Sequence, residues 1–403
     1  MGDLMIESIV FQEEKGTIQA VDKICHRCLG EDCFRGEDGH IYCLSCTEQL
    51  MSDFVYLKRV ERKTYRKQHR LELNFSLNTF QEKGSHFIET CFRKGRKGYL
   101  HAVCGAGKTE MCLESILLAL NQEKRVVFVI PRVEIIKQLV KRFKSYFPKT
   151  RISGLYQDCE FDVAADLFVS TPQQLIRFYQ EFDLVIIDEA DAFPFFKNLR
   201  LERLIHKAKK MSGVLIYISA TLPNYYRRMI INKELEYCLI PARFHQKPMV
   251  VPCFARYHHL YSKHILKSLK NYQRIERPCL VFFPSIQLMY AYHQYLLSNN
   301  IEHQYISSKA RDKQSLINAF EKGRCFVLLT TTLLERGVTF KGCDCLVMES
   351  DHRIFDRDTL IQIAGRVGRD KDASQGKLVF YSRLVTSAMI EAKQEIKRMN
   401  RMV

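Results

Sequence analysis

Short apolar runs alternate with longer patterned segments along most of the chain. Residues 99–104, 126–130, 167–169, 182–187 and 214–218 read as buried strands, since brief, unbroken apolar runs suit strands covered on both faces. Residues 111–120 read as a buried helix, and 279–285 as the strand that opens a second half. This alternation predicts an α/β protein with two domains, each a mostly parallel sheet with helices on both faces. The tail, 391–402, mixes charges at helical spacing and predicts a solvated surface helix. The apolar runs fall far short of the roughly 18 residues that cross a bilayer, so no transmembrane segment is expected.

Composition sharpens this picture. A chain of 403 residues is too long for one ordinary domain and predicts two large domains with a small third. Hydrophobic residues make up 46% and charged residues 27%, which excludes a mostly disordered or fibrous protein. The net charge is +17, which favours a polyanionic partner, either nucleic acid or an acidic membrane face. The amino terminus lacks the basic start and apolar core of a secretory signal. Ile6 occupies the position where a myristoylation signal needs Ser or Thr. Fifteen cysteines without such a signal predict reduced thiols in a cytoplasm, most of them core residues such as Cys279, Cys325 and Cys345.

Four cysteines stand apart. Cys25 and Cys28 form one CxxC pair and Cys43 and Cys46 another, with 14 residues between the pairs. Each pair offers two thiolates from one turn, and four sulfurs close a tetrahedron around Zn²⁺, so this is the spacing of a small structural zinc ribbon. Cys33, His26 and His40 are alternative ligands. Such a ribbon holds DNA or a protein partner equally well. The predicted organisation is therefore a zinc domain at 1–57, a basic linker at 58–74, a first α/β domain at 75–245 and a second at 246–403. The linker carries seven Lys and Arg within residues 58–70.

The strand at 99–104 runs into Gly105-Ala106-Gly107-Lys108-Thr109 and then into the helix. Strand, glycine turn, Lys-Thr and helix make a phosphate-binding loop, in which backbone N–H groups and the helix dipole cradle phosphate oxygens. Lys108 is expected on the β- and γ-phosphates of ATP and Thr109 on Mg²⁺. The strand at 182–187 delivers Asp188-Glu189-Ala190-Asp191. Asp188 is expected to hold Mg²⁺, and Glu189 to polarise the attacking water. Phe193, Phe195 and Phe196 follow and read as core packing.

With both halves of the nucleotide site in place, the chain resembles a superfamily 2 helicase, with RecA-like domains, over roughly residues 75–385. The resemblance implies adenine reading by Gln81. It implies nucleic-acid contacts from Pro131 and Arg132, from Thr171 and Pro172, and from Thr331 and Arg336. Ser219 and Thr221, in a Ser-Ala-Thr string, would couple hydrolysis to strand movement. The string from Gln362 to Arg369 matches QxxGRxGR, which implies nucleotide contact by Gln362 and a γ-phosphate role for Arg366 and Arg369, with Arg369 as the finger. Thr339 stands where many relatives carry an Asp on the ribose, which implies looser sugar contact. A four-cysteine ribbon ahead of such a core resembles the ComFA family of late-competence ATPases. That resemblance implies a translocase driven by ATP, Mg²⁺ and single-stranded DNA at the cytoplasmic face of the DNA-uptake machinery. It also implies a ComFC-like phosphoribosyltransferase-fold partner, and a ring or clustered homo-oligomer is compatible with it. The DEAD string is shared with RNA helicases, and PriA-like replication-restart helicases carry similar motifs; these are the alternatives.

Overall fold

The computed structural model describes residues 25, 28, 30–31, 33–35, 41–44, 68–157, 159–162, 164–192, 194–307, 313–332 and 340–403. Cys46, Arg336, Thr339, His26, His40, Phe193, and most of the predicted 1–57 and 58–74 segments, lie outside the described residues. The chain divides into two compact units: Met1–His101 with Lys108–Leu239, and Ala102–Gly107 with Ile240–Val403.

In the first unit, β1 (Cys33–Arg35) and β2 (Ile41–Cys43) form an antiparallel hairpin in which Cys33 faces Cys43 in register. There follow α1 (Thr79–Arg93), β3 (Gly98–Ala102), α2 (Leu113–Asn121), β4 (Val126–Val129), α3 (Val133–Tyr146), β5 (Ile152–Leu155), β6 (Leu167–Ser170) and β7 (Phe182–Ile187). The unit closes with α4 (Leu199–Ala208), β8 (Lys209–Ser219), α5 (Asn224–Ile231) and β9 (Glu236–Ile240). The sheet order is β5-β6-β4-β7-β8-β3-β9. The pairs β5–β6, β4–β6, β4–β7, β7–β8 and β3–β8 are all parallel. Every residue of β3, β4 and β6 is buried, as expected of strands covered on both faces. Phe168, Phe178 and Phe182 meet edge to face at the centre of the core. Phe195 is buried in the same core, and Phe196 lies against Tyr226, as packing residues.

The second unit contains β10 (Cys253–Arg256), α6 (Lys263–Arg274), β11 (Cys279–Phe282), α7 (Ile286–Ser298), β12 (Gln304–Ile306), α8 (Lys313–Glu321), β13 (Val327–Thr330), β14 (Asp344–Val347), α9 (Arg357–Ala364), β15 (Leu378–Ser382) and α10 (Ser387–Asn400). Its strands run in the order β10-β15-β14-β11-β13-β12, with every pairing parallel. Helix starts follow their caps: Ser262, Ser285, Asp356 and Thr386 each accept a backbone N–H three residues on.

Five expectations need correction. The strand predicted at 99–104 ends at Ala102, and the helix predicted from 111 begins as a 3₁₀ turn over Glu110–Cys112. The strand predicted at 214–218 starts at Lys209, where a register shift extends its pairing to Phe182. The strand at 279 is central and does not open the second unit; the edge strand β10 precedes it, and its exposed ends leave no apolar run to read. The tail helix is not solvated all round. Met389, Ala392, Ile396 and Met399 bury one face, and Asn400 exchanges hydrogen bonds with the backbone of Met249 at 2.8 and 2.9 Å.

Candidate functional site

Parallel strands that all point one way deliver their following residues to one edge, where ligands of open α/β sheets bind. In the first unit that edge gathers the expected residues. Asp188 follows β7, and its N–H donates to the Val129 carbonyl of β4 at 2.9 Å. Pro131 and Arg132 follow β4; Thr171 and Pro172 follow β6. The last residues of β4 and β6 lie opposite one another, and the Ile130 N–H donates to Ser170 O at 2.9 Å. The two expected nucleic-acid motifs are thus neighbours. Ser219 closes β8 beside His101 of β3. Arg132 is the N-cap of α3 with no side-chain cap bond, while Pro172 opens a 3₁₀ turn.

The acidic group is held tightly. Asp188 is buried, and its Oδ1 accepts the Glu189 N–H at 2.8 Å. Burial pushes its carboxyl up to about 6, although the Lys108 charge pulls the other way. A buried carboxylate near a lysine suits a site that a metal–phosphate complex completes. Glu189 has φ +54, a left-handed backbone that non-glycine residues adopt at a cost of roughly 1 kcal/mol or more and that clusters at working sites. Asp191 accepts the Thr221 hydroxyl at 2.6 Å, and the Thr221 N–H donates to Ser219 Oγ at 3.1 Å. The acidic string and the Ser-Ala-Thr string are therefore one hydrogen-bonded assembly.

Two residues on β3 add to that assembly, and motif reading along the chain passes over them. The Tyr99 hydroxyl donates to the Thr221 carbonyl at 2.8 Å. His101 Nε2 donates to the Ala220 carbonyl at 3.2 Å, which leaves Nδ1 to accept the Tyr237 hydroxyl at 3.0 Å. The available signal is a histidine interrupting an otherwise apolar strand shortly before a glycine turn.

The glycine turn has the backbone that a phosphate loop would need. Gly105 and Gly107 have φ +81 and +82, where a side chain would be strained. Residues 102–107 belong with the second unit, where they meet the Gln362–Arg369 string. The Cys104 thiol donates to Gln362 Oε1 at 3.1 Å. A Cβ on Gly365 would lie 2.2 Å from Cys104 Cβ, and one on Gly105 would lie 3.5 Å from Arg369 Cγ. Gln362 and Arg366 are buried, and Arg369 is half-buried. Thr331 follows β13 and is half-buried. Gln81 is buried as the N3 residue of a capping box: its N–H donates to Asn78 Oδ1 at 3.0 Å, and its Oε1 accepts the Asn78 N–H at 3.1 Å. Beside it lies a cleft of about 390 Å³ lined by Phe75, Ser85, His86, Glu110 and Leu113.

Three of the four predicted zinc ligands fall within the described residues. The Sγ atoms of Cys25, Cys28 and Cys43 lie within 4.8 Å of one another, all buried, with Cys28 and Cys43 at 3.5 Å. Zn–S bonds of about 2.3 Å in a tetrahedron place sulfurs about 3.8 Å apart, so this donor set fits the ion. The Cys25 N–H donates to Gly30 O at 2.8 Å and closes the first turn. Among the described residues no helix is long and apolar enough to cross a membrane.

Comparison with known proteins gives a consistent picture. Residues 67–224 match the family described as Type III restriction enzyme, res subunit, and residues 262–371 match the helicase conserved C-terminal domain. A solved structure of S. cerevisiae Dbp5 bound to RNA and ADP BeF3 superposes with a TM-score of 0.58 at 16% identity. It covers 81% of this chain and 93% of its own, and shares the fold. Competence protein ComFA of Streptococcus pneumoniae is 31% identical across 100% of this chain and 98% of its own length. ComFA of Bacillus subtilis is 31% identical across 93% of this chain and 85% of its own. The chain belongs to the ComFA family of competence proteins, and is an ATP-hydrolysing superfamily 2 helicase built on two RecA-like α/β units.

Proposed function

We propose that the chain is a single-stranded-DNA-stimulated ATPase and translocase that draws transforming DNA into the cytoplasm. The observation that carries this reading is the shared edge of the first sheet. There Asp191 of the acidic string accepts the Thr221 hydroxyl of the Ser-Ala-Thr string, and the paired ends of β4 and β6 lead into Arg132 and Thr171, an arrangement that supports coupling of a nucleotide site to strand contacts. The family relatives are named as competence proteins, which supports DNA as the strand moved.

Lys108 and the amides of Gly105, Ala106 and Gly107 hold the phosphates of ATP. Thr109 and Asp188 are the ligands for Mg²⁺, which neutralises phosphate charge when bound. Glu189 takes a proton from the attacking water, and Arg366 and Arg369 offset the charge that develops on the γ-phosphoryl oxygens. Gln81 and Gln362 fix the nucleotide. Movement of Asp191 on hydrolysis is passed through Thr221 and Ser219 to the motifs around Arg132 and Thr171, which with Thr331 and Arg336 grip the strand backbone. Cys25, Cys28, Cys43 and Cys46 hold a structural Zn²⁺. A ComFC-like protein is the proposed partner at the inner face of the membrane.

The test is ATP hydrolysis with single-stranded DNA, single-stranded RNA or duplex DNA. Single-stranded DNA should stimulate most, and Lys108→Ala should lower turnover at least about 100-fold while DNA binding persists. Stimulation mainly by RNA would replace this reading with an RNA helicase.

A further inference from the structure

Arg243 lies in the second unit, close to where its Ile240–Val403 stretch begins, and matches no motif in the sequence. Its side chain is 1% exposed. Nη1 donates to the carbonyls of Val367 and Gly368, the former at 2.8 Å. These two residues lie between Arg366 and Arg369. The stem packs on the phosphate loop: a Cβ on Gly105 would lie 3.8 Å from Arg243 Cγ, and Gly105 O accepts the Phe244 N–H at 2.9 Å.

The remaining nitrogens, Nε and Nη2, are buried and have no hydrogen-bond partner among the described residues. They occupy one edge of the planar guanidinium, the fork that pairs two N–H groups with two oxygens of a carboxylate or phosphate. Leaving such a fork bare in the interior is costly, since each buried donor loses its water without replacement. No carboxylate among the described residues pairs with it. Burial is the main influence on the Arg243 charge and pulls it down to about 10; the Arg369 charge acts in the same direction, and Cys104 opposes it. The guanidinium is still cationic at neutral pH, so the missing partner is an anion.

We propose that Arg243 is a third phosphate-binding arginine of the nucleotide site, its Nε–Nη2 fork taking two oxygens of the terminal phosphate of ATP. It also holds the peptide between Arg366 and Arg369 in place. The terminal phosphate is the indicated anion because Arg243 and Arg369 bear on the same loop glycine, Gly105. This inference rests on the reading of residues 105–109 as the phosphate loop.

Arg243→Lys and Arg243→Gln each keep a donor for the Val367 carbonyl and lose the fork. Binding of a non-hydrolysable ATP analogue and of ADP is measured on both, alongside melting temperature. The analogue should bind at least about 10-fold more weakly, a change of about 1.4 kcal/mol, while ADP changes less than about 3-fold. Unchanged affinity for the analogue, or equal losses for analogue and ADP, would overturn the proposal. Lys108→Ala is the separate control: if that variant keeps full nucleotide affinity and turnover, the phosphate-loop reading has failed. Should neither Arg243 variant fold, a wild-type structure with ADP and beryllium fluoride decides. The fork within about 3.2 Å of the fluorides that mimic phosphate oxygens supports the proposal, and a fork turned to protein carbonyls rejects it.

Discussion

Asp188 shows how burial sets the chemistry of one residue. Its folded value is raised to about 6, against about 3.9 for a free side chain. The stability this group contributes is fully present below about pH 4, where it is protonated folded or unfolded, and is lost as pH rises through about 6. The difference between the two values corresponds to roughly 3 kcal/mol at neutral pH. Asp188→Asn removes the buried charge at nearly constant volume. Thermal melts at pH 7.5 without nucleotide should place this variant above wild type, with the gap closing at pH 5, while ATP turnover is lost. A variant that melts lower at both pH values would show that the carboxylate is stabilising as an ion. Gln81 is the counterexample of a residue with two jobs, a helix cap and a proposed adenine contact, and only the first needs its neighbour Asn78.

At the scale of elements, α9 approaches the phosphate loop closely in the second unit. Gly365 ends α9, and Cys104 fills the space where its Cβ would be. Overlap at 2.2 Å cannot be relaxed by a side-chain rotation. Gly365→Ala should therefore destabilise the protein by roughly 1–3 kcal/mol and lower ATPase activity. Cys104→Gly removes the opposing Cβ, so the double variant should recover stability relative to Gly365→Ala; urea unfolding of the four proteins measures the coupling. Strictly additive losses would mean that the two residues do not meet. This contact explains the small residue in the GR pair of the string by packing, without appeal to nucleotide contact.

At the scale of the whole molecule, the charge of +17 makes salt dependence the informative variable. Single-stranded DNA affinity should fall steeply with salt, with a log–log slope of about −0.7 per phosphate contacted, and should vary little with sequence. A flat salt response would remove the backbone-contact account of binding. The buried cysteine cluster makes a separate expectation. The protein should carry one zinc per chain, and Cys28→Ser should release it, since three thiolates and a weak hydroxyl cannot close the tetrahedron. Elemental analysis of the purified variant checks this, and a full complement of zinc in Cys28→Ser would point to another ligand set.

The amino-acid sequence by itself determined the fold class, and it carries the glycine turn with Lys-Thr, the acidic string and the cysteine pairs as legible patterns. Each of these is a local pattern: a short apolar run with the residues that follow it, or a fixed spacing of ligands. It also located β3, β4, β6, β7, β8 and β11, because strands covered on both faces must be apolar throughout. It missed β10, whose partly exposed edge position removes that requirement, and it misread α10, whose buried stripe is hidden among charges. Only the tertiary structure decided which carbonyls His101 and Tyr99 hold, that Cys104 excludes a side chain at Gly365, and that Arg243 lies buried with its stem against Gly105 and its Nε–Nη2 edge without a hydrogen-bond partner among the described residues. Those facts depend on pairs far apart in the chain, such as Arg243 and Val367, separated by 124 positions. No local periodicity encodes such pairs; parallel strand pairing brings distant loops to a common edge, and burial then fixes the charge each side chain can bear.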